Sequence, residues 1–189
     1  MLRLFVAVPL PEQVQDRLDG MGFGIPGASW VPGDNMHITL RFLGEVSNAD
    51  AADIDDHLLG VRAKAFDLTI EGVGHFGSLR QTRSLWAGVA RNPALQHLRD
   101  KVESAVVRAG QPPEGRKFVP HVTLARFKSE TGHHLANFLA EHNLLKIGPI
   151  RVDRFTLFQS HLKRDGSVYE PLADYPLVDE RAVALLSQS

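Results

Sequence analysis

His37-Ile38-Thr39-Leu40 is echoed further along the chain by His121-Val122-Thr123-Leu124. Along a strand, residues i and i+2 share a face. His37 therefore projects with Thr39, and His121 with Thr123, while Ile38, Leu40, Val122 and Leu124 point the other way, into a core. Each tetrapeptide offers an imidazole and a hydroxyl backed by an apolar anchor. Imidazole titrates near pH 6.5 when unperturbed, so at neutral pH one ring can accept a proton while another donates one. Chance placement at this composition gives about 0.04 copies of His-x-Thr-Leu. Two copies therefore weigh against two unrelated strand residues and for a paired acid and base.

Several elements must hold these side chains. Leu2, Leu4, Val6 and Val8 alternate as a strand, apolar enough to be covered on both faces and ended by Pro9 and Pro11. Val14, Leu18 and Met21 predict a helix behind Pro11, stopped by Gly20, Gly22 and Gly24. Residues 30–35 read as a turn leading into the first histidine strand, which runs on through Arg41, Phe42 and Leu43 to Gly44. Ser47 or Asn48 caps a second helix with a stripe of Ile54, Leu58 and Val61. On it, Asp55-Asp56 reads as a solvated face rather than metal ligands. Phe66, Leu68 and Ile70 mark a half-exposed strand, and Leu85, Ala87 and Val89 another. The glycine-rich stretch 74–83 between them reads as a loop whose Arg80 and Arg83 suit the wall of a phosphate-binding cleft.

Asn92-Pro93 starts a helix carrying Leu95, Leu98, Val102 and Val106, closed by Gly110. After the second histidine strand, Leu135, Phe138 and Leu139 predict another helix, with His133 and His134 as surface residues in its first turn. Residues 150–158 alternate as one strand, residues 169–177 return as shorter extended pieces, and the residues after Asp179 form a tail or short helix. Helices and strands do not follow a βαβ rhythm. The expectation is an α+β fold of two pseudo-twofold-related lobes, each mainly antiparallel sheet with helices outside. Residues 1–189 would form one bilobal domain with its active site in the cleft between the lobes.

Composition narrows the chemistry. The chain has no cysteine, so a disulfide frame, a zinc-thiolate site and a thiol nucleophile are excluded. A formal net charge of -1 argues against a protein that coats long nucleic-acid backbones, though not against an enzyme gripping one phosphate at a strand end. The first apolar run is too short for a secretory signal, and nothing approaches a membrane span, so a cytoplasmic location is expected.

The two motifs, the second extended to His121-Val122-Thr123-Leu124-Ala125-Arg126, resemble those of the two-histidine (2H) phosphoesterase superfamily. Trp30-Val31-Pro32, the run from Asn35 to Val46 and Leu85-Trp86-Ala87-Gly88-Val89 are similar to its RNA 2',3'-cyclic phosphodiesterase branch, also called LigT-like or 2'-5' RNA ligase-like. The resemblance runs from about Arg3 to about Tyr175. It implies a metal-independent, cofactor-free enzyme that opens a terminal 2',3'-cyclic phosphate to a 2'-phosphate. In that reaction His37 would donate a proton to the leaving 3' oxygen and His121 would activate water. Sequence symmetry alone leaves the two roles interchangeable.

Thr39 and Thr123 can hydrogen-bond the non-bridging oxygens. The resemblance carries Arg126 as a phosphate contact, but ideal alternation sets Arg126 on the face opposite His121. Only a bulge or twist after Leu124 would bring it round. Arg41 lies on the His37 face by the same count and is a second candidate. Phe42 and Phe76 are candidates for stacking on a base, against the ordinary reading of each as a core side chain. The expected partner is an RNA ending in a 2',3'-cyclic phosphate or a small cyclic nucleotide, with no membrane and no second protomer required, a monomer. Competing readings are a 2H enzyme for another cyclic nucleotide or a 2'-5' linked oligonucleotide, including reversible 2'-5' ligation, and a non-catalytic module that binds RNA ends. A metallohydrolase would need a third histidine or a carboxylate at ligand spacing, which the sequence lacks.

Overall fold

The computed structural model of the chain describes residues 1–188. In chain order the elements are β1 (Leu2–Pro9), α1 (Glu12–Asp19), β2 (Ser29–Trp30), a 3-10 turn (Gly33–Asn35), β3 (His37–Val46), α2 (Asn48–Leu59), β4 (Phe66–Gly77), β5 (Thr82–Val89), α3 (Pro93–Arg108), β6 (His121–Arg126), α4 (Gly132–His142), β7 (Lys146–Val152), β8 (Arg154–Lys163), β9 (Gly166–Pro176) and α5 (Glu180–Ser187). The fold is α+β. One sheet has the order β3-β1-β8-β9 and the other β2-β6-β5-β4-β7, and neighbouring strands run antiparallel throughout both. Each sheet carries one histidine strand, and β3 of the first lies against β6 of the second.

Helix starts follow local chemistry. The Ser47 hydroxyl accepts from the Asp50 N–H at the head of α2, and the Asn92 side chain accepts from the Leu95 N–H at the head of α3. The α3 stripe of Leu95, Leu98, Val102 and Val106 is buried beneath β3 and β4, and α4 packs on β4 through the second sheet's outer face. Ile38, Leu40, Val122 and Leu124 all lie in the same core. Full burial of an aliphatic side chain contributes about 1.5–3 kcal/mol, so the anchors behind the histidines fix the register of both strands.

Three expectations need correction. Residues 74–83 are not one loop. β4 continues to Gly77, and the connection is only residues 78–81. Gly74 is a strand residue because the Trp86 ring of the paired strand lies across it; a Cβ there would come within 2.3 Å of that ring. Residues 150–158 are not one strand. β7 and β8 belong to different sheets, and the chain crosses between them at Asp153. The buried positions change parity there, from Ile150 and Val152 to Phe155 and Leu157. Residues 169–176 are not separate pieces but part of the continuous strand β9, held along its length by β8, and Leu177 lies just past its end. In addition, Asp55 is not simply solvated: it accepts the Tyr175 hydroxyl at 2.6 Å, tying α2 to β9.

Lobes and chain halves do not coincide. β4 and β5, which follow the first histidine strand, sit in the sheet of the second. β8 and β9, which follow the second, sit in the sheet of the first.

Candidate active site

β6 departs from ideal alternation against its partner at one position and β3 at two, and one departure in each shapes the site. Opposite β3, Ala7 pairs with Thr39 and Val6 with Arg41, leaving Leu40 as an extra residue. Opposite β6, Trp86 pairs with Thr123 and Leu85 with Ala125, leaving Leu124 as an extra residue. Such a bulge rotates the side chains beyond it by one position. In β6, Leu124 and Ala125 are both buried and Arg126 emerges on the open face with His121 and Thr123. The alternation that excluded Arg126 is broken where it had to be. In β3 the matching bulge sends Leu40 and Arg41 inward and brings Phe42 out beside His37 and Thr39. Arg126 and Phe42 are thus equivalent positions of the two motifs.

Arg41 is therefore turned away from the hollow that holds the two histidines. It is 7% exposed, its guanidinium pairs with Glu103 of α3 and donates to the Pro112 carbonyl, and its Nε donates to the Phe42 carbonyl at 3.0 Å. Glu103 also accepts the Glu114 N–H at 2.8 Å. The pair consequently clamps the loop between α3 and β6 against the back of β3.

His37, Thr39, His121, Thr123, Arg126 and Phe42 line one hollow of about 200 Å3, with Asn35, Ser84 and Tyr169 at its walls. The two imidazoles are held alike. Nδ1 of His37 donates to the Asn35 carbonyl at 2.8 Å, and Nδ1 of His121 to the Val119 carbonyl at 2.6 Å. A carbonyl can only accept, so Nδ1 carries the proton and Nε2 is left as the working nitrogen on each ring. The His37 Nε2 lies 2.9 Å from the Thr39 hydroxyl, which donates to it while the ring is neutral.

The surroundings differ. His37 stacks on Phe5 at 4.8 Å and meets the edge of Tyr169 at 5.3 Å. His121 meets Phe76 edge to face at 4.9 Å and Trp86 at 6.0 Å. Burial among these rings lowers the His37 pKa from 6.5 to about 4, helped by the positive charges of Arg126 and His121. His121 is lowered too, by burial first and then by Arg126. Arg126 is exposed, and among the described residues no carboxylate lies within ion-pair distance of it.

Phe42 is 56% exposed, and Phe76 sits against His121 and Trp86, so neither is a core side chain. Phe5, Tyr169, Trp86 and the Asn35 and Val119 carbonyls were not singled out from sequence. A carbonyl leaves no trace in residue type. Phe5 reads as one more apolar residue of a buried strand, and Tyr169 reaches His37 only because β9 joins the sheet of β3. Among the described residues no group of three His, Asp or Glu side chains comes together to hold a metal ion, and no helix is long and apolar enough to cross a membrane.

A profile of the 2'-5' RNA ligase superfamily matches residues 12–164. The RNA 2',3'-cyclic phosphodiesterase of Aeropyrum pernix is 38% identical over 151 residues, covering 79% of this chain and 85% of that protein. The enzyme of the same name from Thermotoga maritima is 32% identical over 182 residues, covering 90% and 93%. The crystal structure of Escherichia coli LigT complexed with 3'-AMP superimposes with a TM-score of 0.74 at 30% identity, over 93% of this chain and 98% of that one.

Proposed function

The chain belongs to the 2'-5' RNA ligase superfamily, and on that premise we propose that it is a metal-independent RNA 2',3'-cyclic phosphodiesterase acting through His37 and His121. The observation that carries the reading is the single hollow in which histidines from two different sheets meet an uncommitted arginine. Opening the ring requires an oxygen–phosphorus bond to form on one side of phosphorus while the bond to the 3' oxygen breaks on the other. A base and an acid on opposing strands suit that line. His121 Nε2 takes the proton of the attacking water, and His37 Nε2 delivers one to the 3' oxygen. The phosphate stays on the 2' oxygen. Arg126 and the hydroxyls of Thr39 and Thr123 bind the non-bridging oxygens as charge builds. Phe42 stacks on the terminal base, and Phe76 braces the His121 ring at the wall of the adjoining cleft. Residues 1–189 act as one bilobal unit, a monomer in which one chain completes the site. The substrate is an RNA end or small cyclic nucleotide; no cofactor enters the scheme.

The test is product analysis with a short RNA ending in a 2',3'-cyclic phosphate, with and without chelator. The expected product is the 2'-phosphate, formed at the same rate in EDTA. Activity lost in EDTA and restored by zinc or manganese would sink the two-histidine scheme.

A further inference from the structure

We infer that the cleft beside the reactive hollow is a strand-binding arm, which takes the single-stranded nucleotides preceding the cyclic phosphate; this rests on the phosphodiesterase reading above. The hollow holding the two histidines measures about 200 Å3, room for the reacting phosphate and its ribose. A larger space of about 530 Å3 opens from it between β3, β5 and the loop before β6. The two share Thr39, Phe42, Ser84, His121 and Arg126, so whatever fills the arm continues into the hollow.

The charge of the arm is unlike that of the chain. Formal net charge is -1 overall, yet six cationic side chains and one carboxylate line this space. Three of the cations are committed: Arg41 to Glu103, Arg116 to Glu114, and Arg99 to Asp100 and the ring of Phe118. Arg83, Lys117 and Arg126 are exposed, and among the described residues none has a carboxylate within ion-pair distance. Arg126 serves the reacting phosphate. Arg83 on β5 and Lys117 on the loop remain in the lining, with no counter-charge among the described residues. The exposed Phe42 and the half-buried Phe118, one face of which Arg99 covers, add rings to the same lining. Uncommitted cations interleaved with aromatic rings along a groove fit phosphodiesters and stacked bases, the pattern of single-strand binding without sequence readout. The space on the other side of the hollow, about 450 Å3, carries Ser160, Ser167 and Tyr169 and only Arg3 as a cation of its own, a poorer match for a charged strand.

The experiment compares a tetranucleotide with a mononucleotide, both ending in a 2',3'-cyclic phosphate, on the full chain. Equilibrium binding of the matching 2'-phosphate ends is measured alongside, so the arm is read even without turnover. At low salt kcat/KM is expected to favour the tetranucleotide by about tenfold or more, and Kd to follow. Arg83→Gln with Lys117→Gln should bring both ratios close to one. The slope of log Kd for the tetranucleotide on log salt should fall by about 1.4, the loss of two single-strand phosphate contacts. Equal values for the two ligands in the unmodified chain overturn the inference. So does a tetranucleotide advantage that survives both substitutions, or one that falls instead with Arg3→Gln. If neither cyclic phosphate is opened while the binding ratio holds and responds to the substitutions, the phosphodiesterase reading fails and the arm stands.

Discussion

The two histidines share one hydrogen-bond device, an Nδ1–H donated to the carbonyl two residues earlier, but not one environment. His37 is pressed among Phe5, Phe158 and Tyr169, and its pKa falls to about 4; His121 is lowered as well. Turnover by the proposed scheme needs His37 charged and His121 neutral, a form that the lowered pKa of His37 disfavours in the free protein until a phosphate anion binds. Because both rings lie below 6.5, above that pH both are neutral in the free protein, and the singly protonated form declines about tenfold per pH unit. kcat/KM follows the free protein and is expected to peak between about 4 and 6.5. A bound phosphate anion opposes the charge of Arg126 and raises both rings, so the alkaline limb of kcat should sit at higher pH than that of kcat/KM. Ring-nitrogen NMR tests the cause directly. His37 should remain neutral at about pH 6 in the free chain and move up when inorganic phosphate is added. A ring already titrating at 6.5 without phosphate would remove the basis for the shift.

At the scale of the elements, two bulges decide what two arginines do. Arg126 is turned to the cleft, Arg41 to the interior. Arg126→Ala should lower kcat/KM by about tenfold or more, as loss of a charge-assisted contact to the reacting phosphate does, with little change in Tm. Arg41→Ala leaves the half-buried Glu103 with only the Glu114 N–H as a partner, and breaking a largely buried pair from one side costs up to about 3 kcal/mol. It should therefore lower Tm strongly, with activity falling as the loop that supplies Val119 to His121 loosens. Matching melting curves for the two variants would show that the bulges do not separate the roles. β4 offers a second test. Gly74→Ala sets a methyl against the Trp86 ring at 2.3 Å, and overpacking of this kind costs about 1–3 kcal/mol. Since Trp86 and Phe76 both lean on His121, turnover should fall along with Tm; a variant as stable and active as the parent would mean that Trp86 moves freely.

At the scale of the molecule, the site exists only because two sheets close on it. His37→Ala and His121→Ala should each lower turnover by about two or more orders of magnitude, the usual scale for a positioned acid or base, without unfolding a chain whose core anchors are Ile38, Leu40, Val122 and Leu124. The double variant should lose much less than the product of the two losses, because residues that act as one unit are not additive. Losses that multiply in full would mean two histidines working independently.

Residue type and spacing alone determined the histidine strands, the buried anchors behind them and four helices, although Met21 and Val61 of the expected stripes lie past the ends of α1 and α2, because alternation and helical periodicity are local and each histidine carries an imidazole wherever it lies. The apolar residues of 150–158 do change parity at Asp153, but a reading as one alternating strand passes over that signal, and only the pairing of β7 and β8 in different sheets reveals the crossing. Tertiary structure decided the rest. Both bulges fall at the leucine of the same motif, Leu40 against β1 and Leu124 against β5, and they become visible only once the strands are paired; they sent Arg126 out and Arg41 in. Gly74 reads as a loop breaker until Trp86 arrives from the next strand to occupy the space a side chain would fill. Tyr169 and Phe5 reach His37 only through the order of strands in a sheet. Strand order is set by which apolar faces bury one another across the whole chain, a non-local balance that no stretch of residues records on its own.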